Sequence, residues 1–445
     1  MRRIVLACVL AGSAWGVQAQ NPPKLTFREA VKIGLDNNLT LQQQRNQLAF
    51  TQINKTATML QMGPSVQATG EAGRFDGNSF VQQLGEVVNG QTDFVNGRIN
   101  ANVPIFNGFN QFNAYRQAAS QNEAQLNFVN RTQQDVIRNV AFQFLTCLLD
   151  QQLLRIDQQN LETQKAQYDQ IKAQVDLGAR PEADLYNQEF QVKNAELLVV
   201  RSANRLKNDK AVLAQTLLID PIVSFELDEV SWEPTIQQDV SIEQLNAEAI
   251  QYRSDLRQAE LGETAARYGL SSVRGRYYPN LVAFGQISSR YNYIYGDFVN
   301  RPFDQQFRTD NRQLNYGLSL TVPIFNGFLS RSQVMQAKVT YENAKLNTKN
   351  AEVRVKNDVL VAYQNYKDAQ TSYASAEAQL RAGEVTYKME KERYDLGISN
   401  IVQLTTAQQQ YVRAQSDFAS ARYTLMFQEV LLNYAKGTLR QEDIP

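Results

Sequence analysis

The sequence predicts a mainly α-helical chain with membrane β: two long coiled-coil helical hairpins and four β-strands. Three observations predict it. The seven residues Val103-Pro-Ile-Phe-Asn-Gly-Phe109 return unchanged as Val322-Pro-Ile-Phe-Asn-Gly-Phe328, 219 residues later. Asp176-Leu-Gly178 returns as Asp395-Leu-Gly397 at the same offset, so no residue is gained or lost between the landmarks in either copy. Loops tolerate insertions, whereas a packed helical rod changes register with each one. Finally, the hydrophobic period switches from two before the repeated heptapeptide to seven after it.

Residues 1–19 form a signal peptide. Arg2 and Arg3 precede an apolar stretch from Ile4 to Trp15, and Val17-Gln18-Ala19 supplies small residues for cleavage. Cys8, after Val5-Leu-Ala, resembles a lipid-attachment box that falls before the apolar region is complete. The first repeat spans 20–220. It opens with an amphipathic helical stretch at about 25–60, matched by 242–277 in the second repeat, with Leu41 on Leu256 and Pro64 on Pro279.

Strands follow at about 64–105 and 280–324. In the second copy Leu314, Tyr316, Leu318, Leu320, Val322 and Ile324 alternate with Asn315, Gly317, Ser319 and Thr321. The first copy repeats this with Ile99, Ala101, Val103 and Ile105. Strands of about ten residues with one apolar face suit a tilted membrane strand or a soluble hairpin on a core. Asp76-Gly-Asn78 and Asn89-Gly90 read as breaks between strands. Tyr277, Tyr278, Tyr291, Tyr293, Tyr295, Phe298, Phe303 and Phe307 gather at strand ends like an interfacial girdle, which favours the membrane. Four strands close no barrel, so a barrel needs several chains: three give twelve strands, two give eight.

Long helices are predicted at 111–176 and 330–395. Val140, Cys147, Leu154, Leu161, Tyr168 and Val175 are spaced by seven, as are Val359, Tyr366, Tyr373, Leu380, Tyr387 and Tyr394. Val355, Ala362, Ala369, Ala376 and Gly383 interleave as small residues, so helices can approach closely. A helix of ~65 residues is ~100 Å long. Gln143, Asp150, Asp157 and Gln164 interrupt the first copy. They fit either a solvated face or the wall of a water-filled lumen. Gly178 and Gly397 suit left-handed helix caps, and return helices run at 181–218 and 399–436. The segment 221–240 links the repeats, and 241–440 is the second.

Composition excludes several classes. There are 45 basic and 45 acidic residues, so nothing points to nucleic acid. The chain has no histidine, which removes Ser-His and Cys-His nucleophiles and makes a zinc site improbable. The mature chain keeps one cysteine, Cys147, a small residue on the helical seam. No Gly-rich phosphate loop is present. No enzyme activity and no cofactor are expected.

The duplication, the Val-Pro-Ile-Phe-Asn-Gly junctions and the two turns make the chain resemble the TolC-type outer-membrane efflux protein family over its mature length. The resemblance implies a homotrimer in the outer membrane, with a 12-stranded β-barrel continued by a periplasmic α-helical barrel. It implies a passive exit duct for a tripartite efflux pump or type I secretion system. The partners it implies are a periplasmic adaptor, an inner-membrane transporter and outer-membrane lipid. Asp184 and Tyr394 match positions that link the helical tips in the family. Ser399 stands where a linking Arg occurs, so that ionic lock is missing, and Arg180 is a candidate substitute. Gln403 and Thr406 match a double acidic ring and carry no charge. Leu177, Gly178, Leu396 and Gly397 match the adaptor-docking turns. The competing reading, a structural periplasmic coiled-coil protein without a channel, explains the heptads but not the lipid-length strands.

Overall fold

The computed structural model describes residues 24–81, 85–220, 225–228, 241–296 and 300–443. The expected signal peptide, Phe298 and most of the inter-repeat linker lie outside the described residues. The chain enters through a short strand, β1 (Lys24–Leu25), then helices α1 (Phe27–Asn37) and α2 (Leu39–Leu60). Strands β2 (Ser65–Val81) and β3 (Glu86–Asn107) lead into a hairpin of α3 (Asn110–Asp176) and α4 (Glu182–Leu217). After β4 (Glu226–Leu227) the order repeats with α5 (Ile242–Tyr252), α6 (Ser254–Arg274) and β5 (Asn280–Ile294). A single turn, α7 (Phe303–Gln305), precedes β6 (Gln313–Thr321), and α8 (Leu329–Asp395) and α9 (Ile401–Lys436) complete the second hairpin. The two long helices are 67 residues each and the two return helices 36 each.

Two sequence expectations need correction here. The stretches 25–60 and 242–277 are not single helices. Each breaks after eleven helical residues, at Asn38 (ψ 117°) and Arg253 (ψ 109°). Asn38 then caps α2 by accepting a hydrogen bond from Leu41 N at 2.9 Å. Thr26 and Glu29 form a reciprocal capping box at the start of α1. The second correction concerns Asp76-Gly-Asn78 and Asn89-Gly90. They do not separate strands but pair with one another, Gly77 opposite Gly90 and Asn78 opposite Asn89, so the β2–β3 hairpin runs well beyond ten residues.

The sheet order is β2-β3-β5-β6, antiparallel throughout. Its register sorts residues by face. Ala68, Ile99, Ile287 and Leu314 lie in one row, and Val66, Ala101, Gly285 and Tyr316 in another two residues away. The rows between them are Gln67, Asn100, Gln286, Asn315 and Thr69, Arg98, Ser288, Gln313. One face of the sheet is therefore apolar and the other polar, as strict alternation requires. Strands β2 and β6 are each paired on one side only.

The helices continue the sheet as a wall. Helices α3 and α8 run its full length. On the strand side α2 packs on α3, and α6 lies between α3 and α8; on the far side α4 packs on α3, and α9 touches both α3 and α8. Mid-wall, α1 closes a core on α3 and α4, where Phe27 stacks on Phe144 at 5.2 Å beside Val140, Leu213 and Leu217. Helix α5 closes the equivalent core on α8 and α9 with Leu245, Val355, Val359 and Leu425. Cys147 is fully buried in the first core, and burial pushes its thiol up to about 12, so it is an inert packing residue.

In the second hairpin Val355, Val359, Ala362, Tyr366, Ala369, Ala376 and Tyr394 are buried, whereas the heptad positions Tyr373, Leu380 and Tyr387 and the interleaved Gly383 are half-buried. The first keeps the same register, with Val136, Val140, Cys147 and Asp150 buried at the positions of Val355, Val359, Tyr366 and Ala369. Ile156, Gln164 and Ile171 are buried, while Leu154, Leu161, Tyr168 and Val175 are half-buried. Asp150 and Gln164, candidates for a solvated or luminal face, are buried between helices instead. Gln188 of α4 donates to Gln164 O at 3.0 Å and to Gln164 Oε1 at 2.7 Å, and Asp157 accepts a hydrogen bond from Ser202.

Candidate functional site: the helical tip

Both hairpins reverse through the same turn. Gly178 (φ 73°) donates to Val175 O at 2.8 Å and Ala179 to Gln174 O at 2.8 Å. Gly397 (φ 73°) donates to Tyr394 O at 2.9 Å and Ile398 to Arg393 O at 2.8 Å. This paired closure of the last carbonyls is the Schellman motif, and the left-handed residue in it favours glycine. The glycines leave open space around their Cα atoms. The residue before each is forced outward: Leu177 is 84% exposed and Leu396 74%. Two bare leucines at the end of a long helical wall form an apolar contact surface.

Just behind the turns, the two hairpins are joined. Arg180 follows the first turn, and its guanidinium lies 3.6 Å from the Asp184 carboxylate, one helical turn on. The same guanidinium sits 5.2 Å from the ring centre of Tyr394, in the last turn of α8. Tyr394 is only 7% exposed, and its hydroxyl is buried without a hydrogen-bond partner among the described residues. Burial raises its pKa, so the ring is a neutral cation acceptor. The sequence placed Asp184 and Tyr394 at the tip but supplied no geometry for Arg180. The structure brings all three together, with Arg180 as the centre.

Ser399, which stands in place of a linking arginine, stays within its own hairpin. Its Oγ lies 2.9 Å from Glu390 Oε2 and 2.7 Å from Gln403 Oε1. Asn400 caps α9 by accepting from Gln403 N at 3.0 Å. Gln403 and Thr406 are exposed, on the side of α9 away from buried Leu404 and Ala407. Their Oγ and amide groups are neutral, and Thr406 Oγ is turned back to Val402 O at 2.8 Å.

Further from the tip runs a polar ladder that sequence reasoning missed. Gln167 donates to Gln408 Oε1 at 2.9 Å, and Gln408 donates to Asn160 Oδ1 at 3.1 Å. These bonds cross from α3 to α9, so side-chain amides pin one hairpin to the other. The abundance of glutamine was the available signal, but nothing in the sequence says which glutamines face each other.

Comparison with known proteins agrees with this architecture. The sequence pattern of the outer membrane efflux protein family matches residues 30–217 and again 245–438. Nodulation protein T of Rhizobium leguminosarum bv. viciae is 24% identical over 430 residues, covering 92% of this chain and 81% of that one. Outer membrane protein TolC of Vibrio cholerae is 23% identical over 329 residues, 74% of this chain and 72% of that one. Among solved structures, the VceC outer membrane protein of Vibrio cholerae superposes with a TM-score of 0.78 at 13% identity, covering 92% and 96% of the two chains. The CmeC outer membrane channel of Campylobacter jejuni gives 0.78 at 17% identity, covering 100% and 95%. With both halves of the duplication matched, this chain belongs to the outer membrane efflux protein family.

Proposed function

We propose that the chain is one third of a passive exit duct, a homotrimer crossing the outer membrane and reaching through the periplasm. One observation carries this: a four-stranded sheet with one apolar and one polar face, open at β2 and β6, continues into a two-sided helical wall. An open edge is not tolerated in lipid. Pairing β6 of one copy with β2 of the next closes the sheet, and three copies give twelve strands with the polar rows facing a water-filled interior. The 67-residue helices then set the reach at about 100 Å, at ~1.5 Å per residue.

The exposed turns at Leu177, Gly178, Leu396 and Gly397 are the docking points for a periplasmic adaptor, which couples the duct to an inner-membrane transporter. Arg180, Asp184 and Tyr394 act as the latch between hairpins that holds the tip shut. Gln403 and Thr406 line the mouth without charge, so divalent cations meet no strong field there. Tripartite efflux and type I secretion both fit this duct, and energy and selectivity come from the inner-membrane partner.

The test has two parts. The mature protein should fractionate with the outer membrane as a heat-resistant trimer. Recovery as a periplasmic monomer would sink the duct and favour a coiled-coil spacer. In planar bilayers, Arg180→Ala should raise single-channel conductance over the wild type. An unchanged conductance, with an intact trimer, would remove Arg180 from the latch.

A further inference from the structure

We infer that residues 300–312 form a collar on the lipid-facing side of the barrel wall, seated at the headgroup level of the outer leaflet. This rests on the barrel reading above. The apolar face can be followed row by row toward the extracellular side. After Ala68, Ile99, Ile287 and Leu314 come Gly70, Gly97 and Ser289, then Ala72, Val95 and Tyr291, and then the charged row Arg74, Asp93 and Tyr293. Strand β6 begins at Gln313, opposite Ser288, so it contributes nothing to the last three rows. Six apolar rows, from Leu320 to Val95, about 6.8 Å apart along tilted strands, give a band of roughly 25 Å. The missing quarter of the sheet therefore lies where the hydrocarbon meets the headgroups.

The collar fills that quarter in two ways. Its side-chain amides replace the absent strand along the β5 edge. Asn311 Nδ2 donates to Arg290 O at 2.8 Å. Gln306 takes a hydrogen bond from Asn292 N at 3.2 Å and donates to Asn292 O at 3.0 Å. Asn300 takes one from Ile294 N at 2.9 Å and donates to Ile294 O at 2.7 Å. Carboxamides thus meet the carbonyl of Arg290 and both backbone groups of Asn292 and Ile294, which is what an edge facing lipid needs. Its aromatic residues then cover the small ones on the apolar face. A Cβ built on Gly97 would stand 2.8 Å from the Phe307 ring, Ser289 Oγ donates to Phe307 O at 2.5 Å, and Phe303 meets Tyr291 at 5.2 Å and stacks on Phe307 at 5.0 Å.

The surface this presents is amphipathic and close to neutral, with Arg301, Arg308 and Arg312 against Asp304 and Asp310. Phe303 remains half exposed, and Arg301–Asp310 (2.7 Å) and Arg308–Asp304 (3.0 Å) are ion pairs on the outer rim. Arg74 and Asp93, with Tyr295 bonded to both, continue the rim on the neighbouring strands. Aromatic rings below balanced charges match the chemistry of a bilayer interface and not of an anionic polymer. The occupant is the lipid itself.

Nitroxide labels test this in the trimer reconstituted into phosphatidylethanolamine–phosphatidylglycerol vesicles, on a Cys147→Ala background. The label at Arg308→Cys should report interfacial depth, and the label at Leu318→Cys should report hydrocarbon. A lipid-exposed label at 318 with a fully aqueous one at 308 overturns the collar and leaves the barrel standing. Aqueous labels at both positions overturn the barrel reading, and the collar with it. Gly97→Val, a substitution that suits a strand, should evict Phe307 and move the 308 label toward water while the 318 label stays. An unmoved 308 label would show that Gly97 is not the seat.

Discussion

The two hairpins have the same lengths and the same capped turns, yet they are glued differently. The second closes on Val355, Val359, Tyr366 and small alanines. The first closes lower down on Gln164 bonded to Gln188, on Asp157 bonded to Ser202, and on a buried Asp150. Length and ends are therefore separable from interior chemistry. The backbone period and the Schellman turns fix where a tip arrives, whereas the seam needs only to be full.

Truncating the apolar seam should do the most damage. Tyr366→Ala should cost about 3–5 kcal/mol, the usual range for an aromatic cavity, read as loss of helical circular dichroism on heating. On the polar seam, Gln188→Leu strands the Gln164 amide and should cost about 1–3 kcal/mol. Adding Gln164→Leu should recover most of that loss, because both partners are then apolar. If the double variant is no better than the single, the glutamines hold something other than each other.

Asp150 gives a smaller, pH-dependent contrast. It is 4% exposed, and burial, then the neighbouring Asp209, push its carboxyl up to about 7, with Arg205 pulling the other way. The folded state thus holds this proton more tightly than the unfolded chain, whose value is near 3.8. The carboxyl's contribution is fully present at low pH and is lost as pH rises through about 7. Melting at pH 5.5 and 8.5 should show the wild type weaker at the higher value, and Asp150→Asn should narrow the gap. A pH response of equal size in the variant would assign it elsewhere. Least disruptive to the fold is Gln403→Asp, on an exposed face of α9. Stability should be unchanged, and divalent-cation block of conductance should strengthen. An unaltered block would take position 403 out of the mouth.

Much of this architecture could be read from the chain because helical rods keep strict time. Both seams follow their heptads in the half nearer the sheet, with Val140, Cys147, Val359 and Tyr366 buried, and loosen toward the tip, where Leu154, Leu161, Leu380 and Tyr387 are half-buried. The first is harder to read because its buried positions carry Asp150 and Gln164, residue types that also suit water, and only the facing residues of α4, Asp209 for the one and Gln188 for the other, decide between them. Helix breaks at Asn38 and Arg253 escape notice because one extended residue leaves the apolar pattern intact on both sides. Asp76-Gly-Asn78 imitates a turn, though its residues meet their like across a longer hairpin. At the tip, the turns around Gly178 and Gly397 are local and legible. The Arg180–Tyr394 contact is not, since it depends on how two distant hairpins lie together.

The repeated heptapeptide has one further consequence. Val103 and Pro104 lie inside the sheet against β5, whereas Val322, Ile324 and Phe325 stand exposed past the end of β6. Gly108 is pressed against Gly275, and its counterpart Gly327 faces open space. Identical residues thus serve one joint within the chain and one that, in the proposed duct, is left for a neighbour. A subunit is half of a step that its sibling repeats, so a damaged free joint is contagious. Such a chain still offers one sound edge, enters the ring through it and leaves the ring unclosed, and co-expression with intact copies would poison them.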